Sequence, residues 1–219
     1  IMKAYAHQGY RDFILCLGYR GHQIKEYFLN HHLLHSDFRL DLKTHATTVL
    51  SDDTADDFQI TFVDTGVETL TGERLLRAAK YITGDEFMCT YGDGVSDIAF
   101  RELHAFHREK RLTHEVVGTV TGVHPKSKYG LVNVNAQRVV TAFVQKPRLH
   151  DFTNGGFMVF QRSFLEYCQR RYRNGSDALD WIDPAGGVTN RIEISSAGLL
   201  STWQLFMGVF LPNETLDVR

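Results

Sequence analysis

Cysteine, proline and tryptophan are scarce, at 3, 4 and 2 of 219 residues, and the shortage of cysteine already excludes several chemistries. Cys16, Cys89 and Cys168 are odd in number and widely spaced, which rules out a disulfide framework or a paired-cysteine zinc motif. Two of them sit in apolar runs, where a reduced thiol behaves as a small hydrophobe. A reducing, cytoplasmic setting is therefore expected. No stretch approaches the roughly 18 apolar residues of a membrane span, so no membrane partner is expected either. An excess of positive charge is also missing. With 24 Lys and Arg against 26 Asp and Glu, the net charge is -2, and nothing suggests binding to nucleic acid by counterion release. The opening residues carry none of the basic, apolar and small-residue pattern of a signal peptide.

What is present is an ordinary globular composition, 43% hydrophobic and 23% charged, at a length that suits one α/β domain over residues 1–219. Ile1 to Tyr10 reads as the later turns of a helix without a capping residue before it, so an N-terminally truncated chain is expected. Phe13 to Leu17 predicts a strand, followed by a Gly18–Gly21 loop and a helix from His22 to Asn30. The pattern repeats as a strand over Phe58 to Val63 and a helix over Glu73 to Ile82. A strand over Phe87 to Thr90, a helix capped by Asp97 and running to about Lys110, and a strand over Val116 to Val123 come next. Such alternation predicts βαβ units and a parallel sheet with helices on its faces. After His124, the segments Gly130 to Val134, Val139 to Val144 and Gly156 to Phe160 read as strands of an added, partly antiparallel layer, and a helix follows over Arg162 to Tyr172. From about Arg173 to Thr202 the periodicity is weak.

The segment Thr90-Tyr91-Gly92-Asp93-Gly94-Val95 puts a carboxylate just beyond a strand, where ligands of open α/β sheets bind. Two flanking glycines leave that carboxylate unobstructed, which makes Asp93 a candidate Mg²⁺ ligand. The same residues could form a plain turn in which Asp bonds its own backbone.

The wider order of motifs resembles the sugar-1-phosphate nucleotidyltransferase family, and within it the glucose-1-phosphate cytidylyltransferases. The resemblance is carried by Phe13-Ile14-Leu15-Cys16 with Gly18-Tyr19-Arg20-Gly21, by Val63-Asp64-Thr65-Gly66 with Thr71-Gly72-Glu73-Arg74, and by Tyr91-Gly92-Asp93-Gly94-Val95. Phe143-Val144-Gln145-Lys146-Pro147 is similar to the family's Glu-Lys-Pro motif, and Asn154-Gly155-Gly156-Phe157 to its sugar-binding Asn-Gly-Gly-Phe. It implies a Rossmann-like nucleotidyltransferase fold: a mostly parallel mixed sheet, helices on both faces and a small antiparallel sugar-binding layer. It also implies transfer of a nucleotidyl group, CMP from CTP, to a hexose 1-phosphate such as glucose 1-phosphate, with Mg²⁺ as cofactor and pyrophosphate leaving. By the same resemblance Gly72, Arg74 and Asp93 face the nucleotide. Tyr91, Asn154 and Gly155 contact the sugar, Lys146 meets its phosphate, and a homo-oligomer is expected. Taken alone, Lys146 could equally be a solvated lysine before a proline turn, and Asn154-Gly155-Gly156 an ordinary hairpin turn.

The chain departs from the family pattern in several places. The Gly-rich loop and lysine that cradle the triphosphate through free backbone N–H groups would precede Ile1, so this chain alone is expected not to catalyse transfer. Loss of the family's first, central strand is expected to leave its neighbours with unpaired ladder groups and the chain unstable. Gln145 stands where the family has an acid. Glu214, in Gly208-Val209-Phe210-Leu211-Pro212-Asn213-Glu214-Thr215, stands where it has a second metal-binding Asp; it could serve as a longer metal ligand or be a surface acid. A non-catalytic regulatory homologue that binds sugar phosphate or nucleotide sugar is the competing reading. His31, His32 and His35 lack the ligand set that zinc needs, and His104 and His107 read as a solvated helix face. Arg108, Lys110 and Arg111 read as a helix C-terminus complementing the macrodipole.

Overall fold

The computed structural model describes residues 1–51, 56–114, 116–173, 191–196 and 207–211. Its main sheet has seven strands. In chain order they are β1 (Asp12–Leu17), β4 (Gln59–Asp64), β5 (Glu86–Tyr91), β6 (Val116–Val123), β9 (Thr153–Gln161), β10 (Arg191–Ser196) and β11 (Met207–Leu211), and across the sheet they run β10-β6-β9-β5-β11-β1-β4. Two further pairs form small antiparallel ribbons, β2 (Phe38–Leu40) with β3 (Thr47–Val49) and β7 (Leu131–Val134) with β8 (Val140–Val144).

Pairing within the main sheet is mixed. β1 with β4 and β10 with β6 are parallel, whereas β9 and β11 run antiparallel to both of their neighbours. Following those pairings across the sheet, β1, β4, β5, β6 and β10 all point the same way. The predicted direction therefore holds for most strands, although two reversed strands between them make most of the ladders antiparallel. Among the reversed strands, β11 overturns one expectation. The slot between β1 and β5 is filled: Ile14 stands opposite Val209, which in turn stands opposite Cys89. The inner ladder groups of both neighbours thus have backbone partners, which a buried sheet requires.

Side chains alternate across the strands, and the core divides accordingly. Ile14, Phe87, Cys89, Met158 and Phe160 turn to one face and meet α4 (Thr71–Ala78) and α6 (Phe164–Arg173) through Leu75, Ala78 and Phe164. Phe13, Met88, Phe157 and Val159 turn to the other and meet α1 (Met2–His7) and α5 (Phe100–His114) through Tyr5, Phe100 and Leu103. Each fully buried Leu or Phe contributes about 1.5–3 kcal/mol of transfer free energy. The helices α2 (Gly21–Leu29) and α3 (His31–Leu34) lead from β1 into the first ribbon.

Two details of α5 differ from the sequence reading. The helix starts at Phe100, three residues beyond Asp97, and the backbone N–H of Leu103 bonds the carbonyl of Ala99. His104 and His107 are buried rather than solvated, at 7% and 0% exposure. Their face of the helix lies on the sheet, where buried Glu86 collects His104 Nε2 at 2.8 Å, Arg108 Nε at 3.0 Å and Arg111 Nη1 at 3.0 Å. Tyr10 completes the group through its hydroxyl, 3.1 Å from His104 Nδ1. A buried carboxylate requires such partners, so the basic helix end serves Glu86 as well as the macrodipole. All three cysteines are free and buried, and no helix among the described residues is long and apolar enough to cross a membrane.

Candidate functional site

A cavity of about 510 Å³ opens at the ends of β1 and β5, lined by Leu17, Tyr27, Phe28, Thr90, Gly92 and Asp93 among others. β1 and β5 point the same way, so both deliver their carboxyl ends here, as open α/β sheets do at ligand sites. Asp93 follows β5 directly. Its Oδ2 is buried and has no hydrogen-bond partner. A carboxylate oxygen left in that state costs free energy unless something fills its lone pairs.

That orphaned oxygen is the test for the metal, and it fits. Mg²⁺ takes one or two carboxylates and completes its shell with substrate phosphates and water. Among the described residues no cluster of three metal-binding side chains exists, so Asp93 would act as one hard ligand in an open shell. Glu214, the second candidate ligand, lies outside the described residues.

Tyr91 and Asn154 meet at one end of the sheet although they are more than sixty positions apart in sequence. Asn154 Nδ2 donates to the Tyr91 hydroxyl at 3.4 Å, and Asn154 Oδ1 accepts the Gly156 N–H at 2.8 Å. Thr90 Oγ1 donates to the Gly156 carbonyl at 2.7 Å. Gly156 has φ +82°, and a Cβ there would stand 3.1 Å from the Tyr91 ring. Glycine is required at that position by conformation and by space. Gly155 is buried beside it.

A bulge sets this register. The β6–β9 ladder shifts between Val120 and Gly122, and Thr121 bridges the gap: its Oγ1 donates to the Phe157 carbonyl at 3.0 Å and accepts the Phe157 N–H at 3.3 Å. Asn154 consequently stands opposite Gly122. Bulges re-aim strands beside functional sites in this way.

Arg74 and Gly72 sit in a neighbouring place. Gly72 is buried in the first turn of α4. Arg74 Nη1 donates to Thr65 Oγ1 at 2.7 Å and Nη2 to the Val67 carbonyl at 3.2 Å. A Cβ at Gly18 would lie 2.8 Å from Arg74 Nη1, so the guanidinium occupies the hollow beside that glycine. Its bonds go to the β4–α4 loop, and it is not part of the lining that contains Asp93. Arg77 supports the same loop by donating to the Thr65 carbonyl at 2.7 Å. Lys146 lies apart on the exposed turn after β8, with φ +46°. A non-glycine residue in that region is uncommon and marks a specified turn.

Sequence reasoning missed the far wall of the cavity. Asp56 lines it with Lys3 and His31. Lys3 Nζ stands 3.3 Å and His31 Nε2 3.6 Å from Asp56 Oδ2. Both approaches lack hydrogen-bond alignment, since the same oxygen has no hydrogen-bond partner. No motif spacing links residues 3, 31 and 56. Cys16 also lines the cavity, and burial pushes its thiol up to about 12 against the pull of the nearby Arg74. A thiol so placed is inert as a nucleophile at neutral pH.

The Nucleotidyl transferase family profile matches residues 3–184. A probable glucose-1-phosphate cytidylyltransferase of Bacillus subtilis is 38% identical over 170 residues, 78% of this chain and 64% of the relative. A glucose-1-phosphate cytidylyltransferase of Salmonella typhimurium is 36% identical over 183 residues, 83% of this chain and 66% of the relative. The chain thus spans just under two thirds of the length of these curated relatives. Among solved structures, HddC from Yersinia pseudotuberculosis superposes with a TM-score of 0.54 at 16% identity, covering 89% of this chain and 73% of that one, a likeness of fold. The same protein complexed with GMP-PN gives 0.51 at the same identity, covering 90% and 74%.

Proposed function

Because the chain belongs to the nucleotidyl transferase family, we propose that it forms the acceptor-side body of an enzyme that moves a cytidylyl group from CTP to glucose 1-phosphate. A phosphate oxygen of the sugar phosphate attacks the α-phosphorus in line. The new P–O bond forms as the bond to pyrophosphate breaks. Such transfer asks the protein for positioning and charge neutralisation rather than covalent chemistry. The observation that carries the reading is Asp93, whose orphaned oxygen stands in the cavity lining; two positions before it Tyr91, outside that lining, is hydrogen-bonded to Asn154.

In this scheme Tyr91, Asn154 and the Gly155 backbone orient the hexose hydroxyls. Lys146 supplies a compact cation with three donors to the sugar phosphate. Gly72 and Arg74 stand on the nucleotide side, outside the lining that contains Asp93, and Arg74 holds the β4–α4 loop through Thr65 and Val67. Mg²⁺, when bound at Asp93, would neutralise charge on the phosphate oxygens. The 219 residues contain no Gly-rich loop of the kind that cradles a triphosphate, so this chain alone is expected to bind sugar phosphate without turning over.

The test is pyrophosphate release measured with CTP, UTP, dTTP and GTP against a panel of hexose 1-phosphates. It would be run on this chain and on a form extended upstream to a start codon in the same frame. Turnover by the extended form with CTP and glucose 1-phosphate supports the reading. An extended form that folds and stays silent with every pair overturns it.

A further inference from the structure

Basic residues recur at every second position where the chain enters and leaves the ribbon β7–β8. His124, Lys126 and Lys128 alternate with Pro125 and Ser127 on the way in, and Lys146, Arg148 and His150 alternate with Pro147 and Leu149 on the way out. The six basic residues are exposed and the four between them are half-buried, the alternation of extended chain with one side turned to solvent. The two limbs pair with each other. Lys126 stands opposite Arg148 in an antiparallel bridge, flanked by bonds from the Ser127 N–H to the Pro147 carbonyl at 2.8 Å and from the Leu149 N–H to the Pro125 carbonyl at 2.9 Å. That pattern makes it a non-hydrogen-bonded pair, the kind in which opposed side chains come closer.

Two cations directly opposite one another repel, and no acid answers them. Lys126, Lys128, Lys146 and Arg148 make no ion pair among the described residues. Residues 116–150 contain no Asp or Glu, and Asp151 just beyond them is exposed and joins no ion pair among the described residues either. The pair also stands near the sugar-side residues. Val123 at the end of β6 lies opposite Thr153 at the start of β9, and Gly122 opposite Asn154, so the limbs continue from the strand end where Asn154 meets Tyr91. His124 packs on Phe152 with ring centroids 4.0 Å apart, which ties the incoming limb to the residue two before Asn154. Lys126 lies four residues past Gly122, no more than about 13 Å of extended chain.

We infer that the paired limbs bind a phosphate group, with Lys126 and Arg148 as its ligands. An arginine fork takes two phosphate oxygens side by side and a lysine supplies a compact point charge, so one anion between them replaces a repulsion with two attractions. Naming that anion as the phosphate of the sugar 1-phosphate rests on the reaction proposed above, whereas the anion site itself does not. On that reading Lys126 and Arg148 join Lys146 in holding the acceptor by its phosphate, with the hexose turned towards Asn154 and Tyr91.

Calorimetric titration of the full chain without Mg²⁺, with glucose 1-phosphate and separately with inorganic phosphate, tests it. Lys126→Ala and Arg148→Ala should each weaken binding of both anions about tenfold, whereas Lys126→Arg, which keeps the charge, should retain most of the affinity. A purely structural role is told apart by urea unfolding without anion: each truncation should leave the midpoint unchanged or raised, because a like-charge pair has been removed. Uptake of inorganic phosphate that depends on both residues, without uptake of glucose 1-phosphate, supports the anion site and overturns its assignment to the acceptor. A wild-type chain that takes up neither anion overturns the inference. So do truncated variants that bind both as tightly as the wild type, or that lose binding only by losing their fold.

Discussion

At the scale of single residues, burial sets two titrations whose effects on stability can be read separately. Burial alone would raise the Glu86 carboxyl, but hydrogen bonds from His104 and Arg108 outweigh it and hold the group down to about 2. Burial pushes His107 from its ordinary 6.5 down to about 4. Its Nδ1 meets Thr119 at 2.9 Å, and its Nε2 is buried with no partner to receive an added proton. In both cases the folded state binds protons more weakly than the unfolded chain, so stability is full at neutral pH and falls with acid. The His107 contribution is lost between about 6.5 and 4, and the Glu86 contribution from its ordinary 4.5 down towards 2. His107→Leu should cost about 1 kcal/mol at pH 7 by leaving the Thr119 hydroxyl unpaired. It should also flatten the stability curve between pH 6.5 and 4, measured by urea unfolding across pH, while the decline below pH 4.5 remains. A curve that keeps its full slope over the upper window would show that another group titrates there. Gly156→Ala combines a strained φ with a Cβ 3.1 Å from the Tyr91 ring. About 1–3 kcal/mol of destabilisation is expected, together with weaker binding of the sugar phosphate in a calorimetric titration, because the Tyr91–Asn154 contact must move.

At the scale of elements, the strands and helices that pack on the sheet were legible because burial imposes their period. The alternation of Phe13 and Ile14, or of Met88 and Cys89, between two cores is what makes a short apolar run read as a strand. The solvated face assigned to His104 and His107 shows where that logic fails, since a histidine is coded as polar whether or not a buried Glu86 awaits it. The partner lies eighteen positions away, and no local pattern announces it. The site divides in the same manner. Tyr91, Asp93 and Asn154 were found because contiguous motifs carry them, whereas Lys3, His31 and Asp56 share only a cavity wall. β11 was hidden for a different reason: a five-residue strand reversed between parallel neighbours has no sequence signature of its place. Its backbone bonds on both sides, to β1 and to β5, so any N–H in it is used. Val209→Pro removes a ladder hydrogen bond and should therefore cost about 1–3 kcal/mol for the partner left unpaired, read as a lowered urea midpoint. An unchanged midpoint would mean that β11 contributes little to the sheet.

At the scale of the whole molecule, charge is divided rather than balanced. Residues 116–150 hold five cations and no acid, and residues 81–100 hold Asp85, Glu86, Asp93 and Asp97 with no Lys or Arg. The strand end that carries Asp93 is thus acidic in its own sequence, and a phosphate-bearing substrate needs cations from elsewhere to be held there. In the proposed enzyme these come from Mg²⁺ at Asp93 and from Lys146. That division makes Asp93 the residue on which the account turns. The decisive measurement is pyrophosphate release from CTP and glucose 1-phosphate, in the presence of Mg²⁺, by the upstream-extended form with and without Asp93→Ala. The account predicts a loss of about 100-fold or more in kcat/KM, with urea stability retained or raised because an orphaned carboxylate has been removed. A variant that folds and keeps full turnover would contradict the assignment of this cavity as the site of transfer.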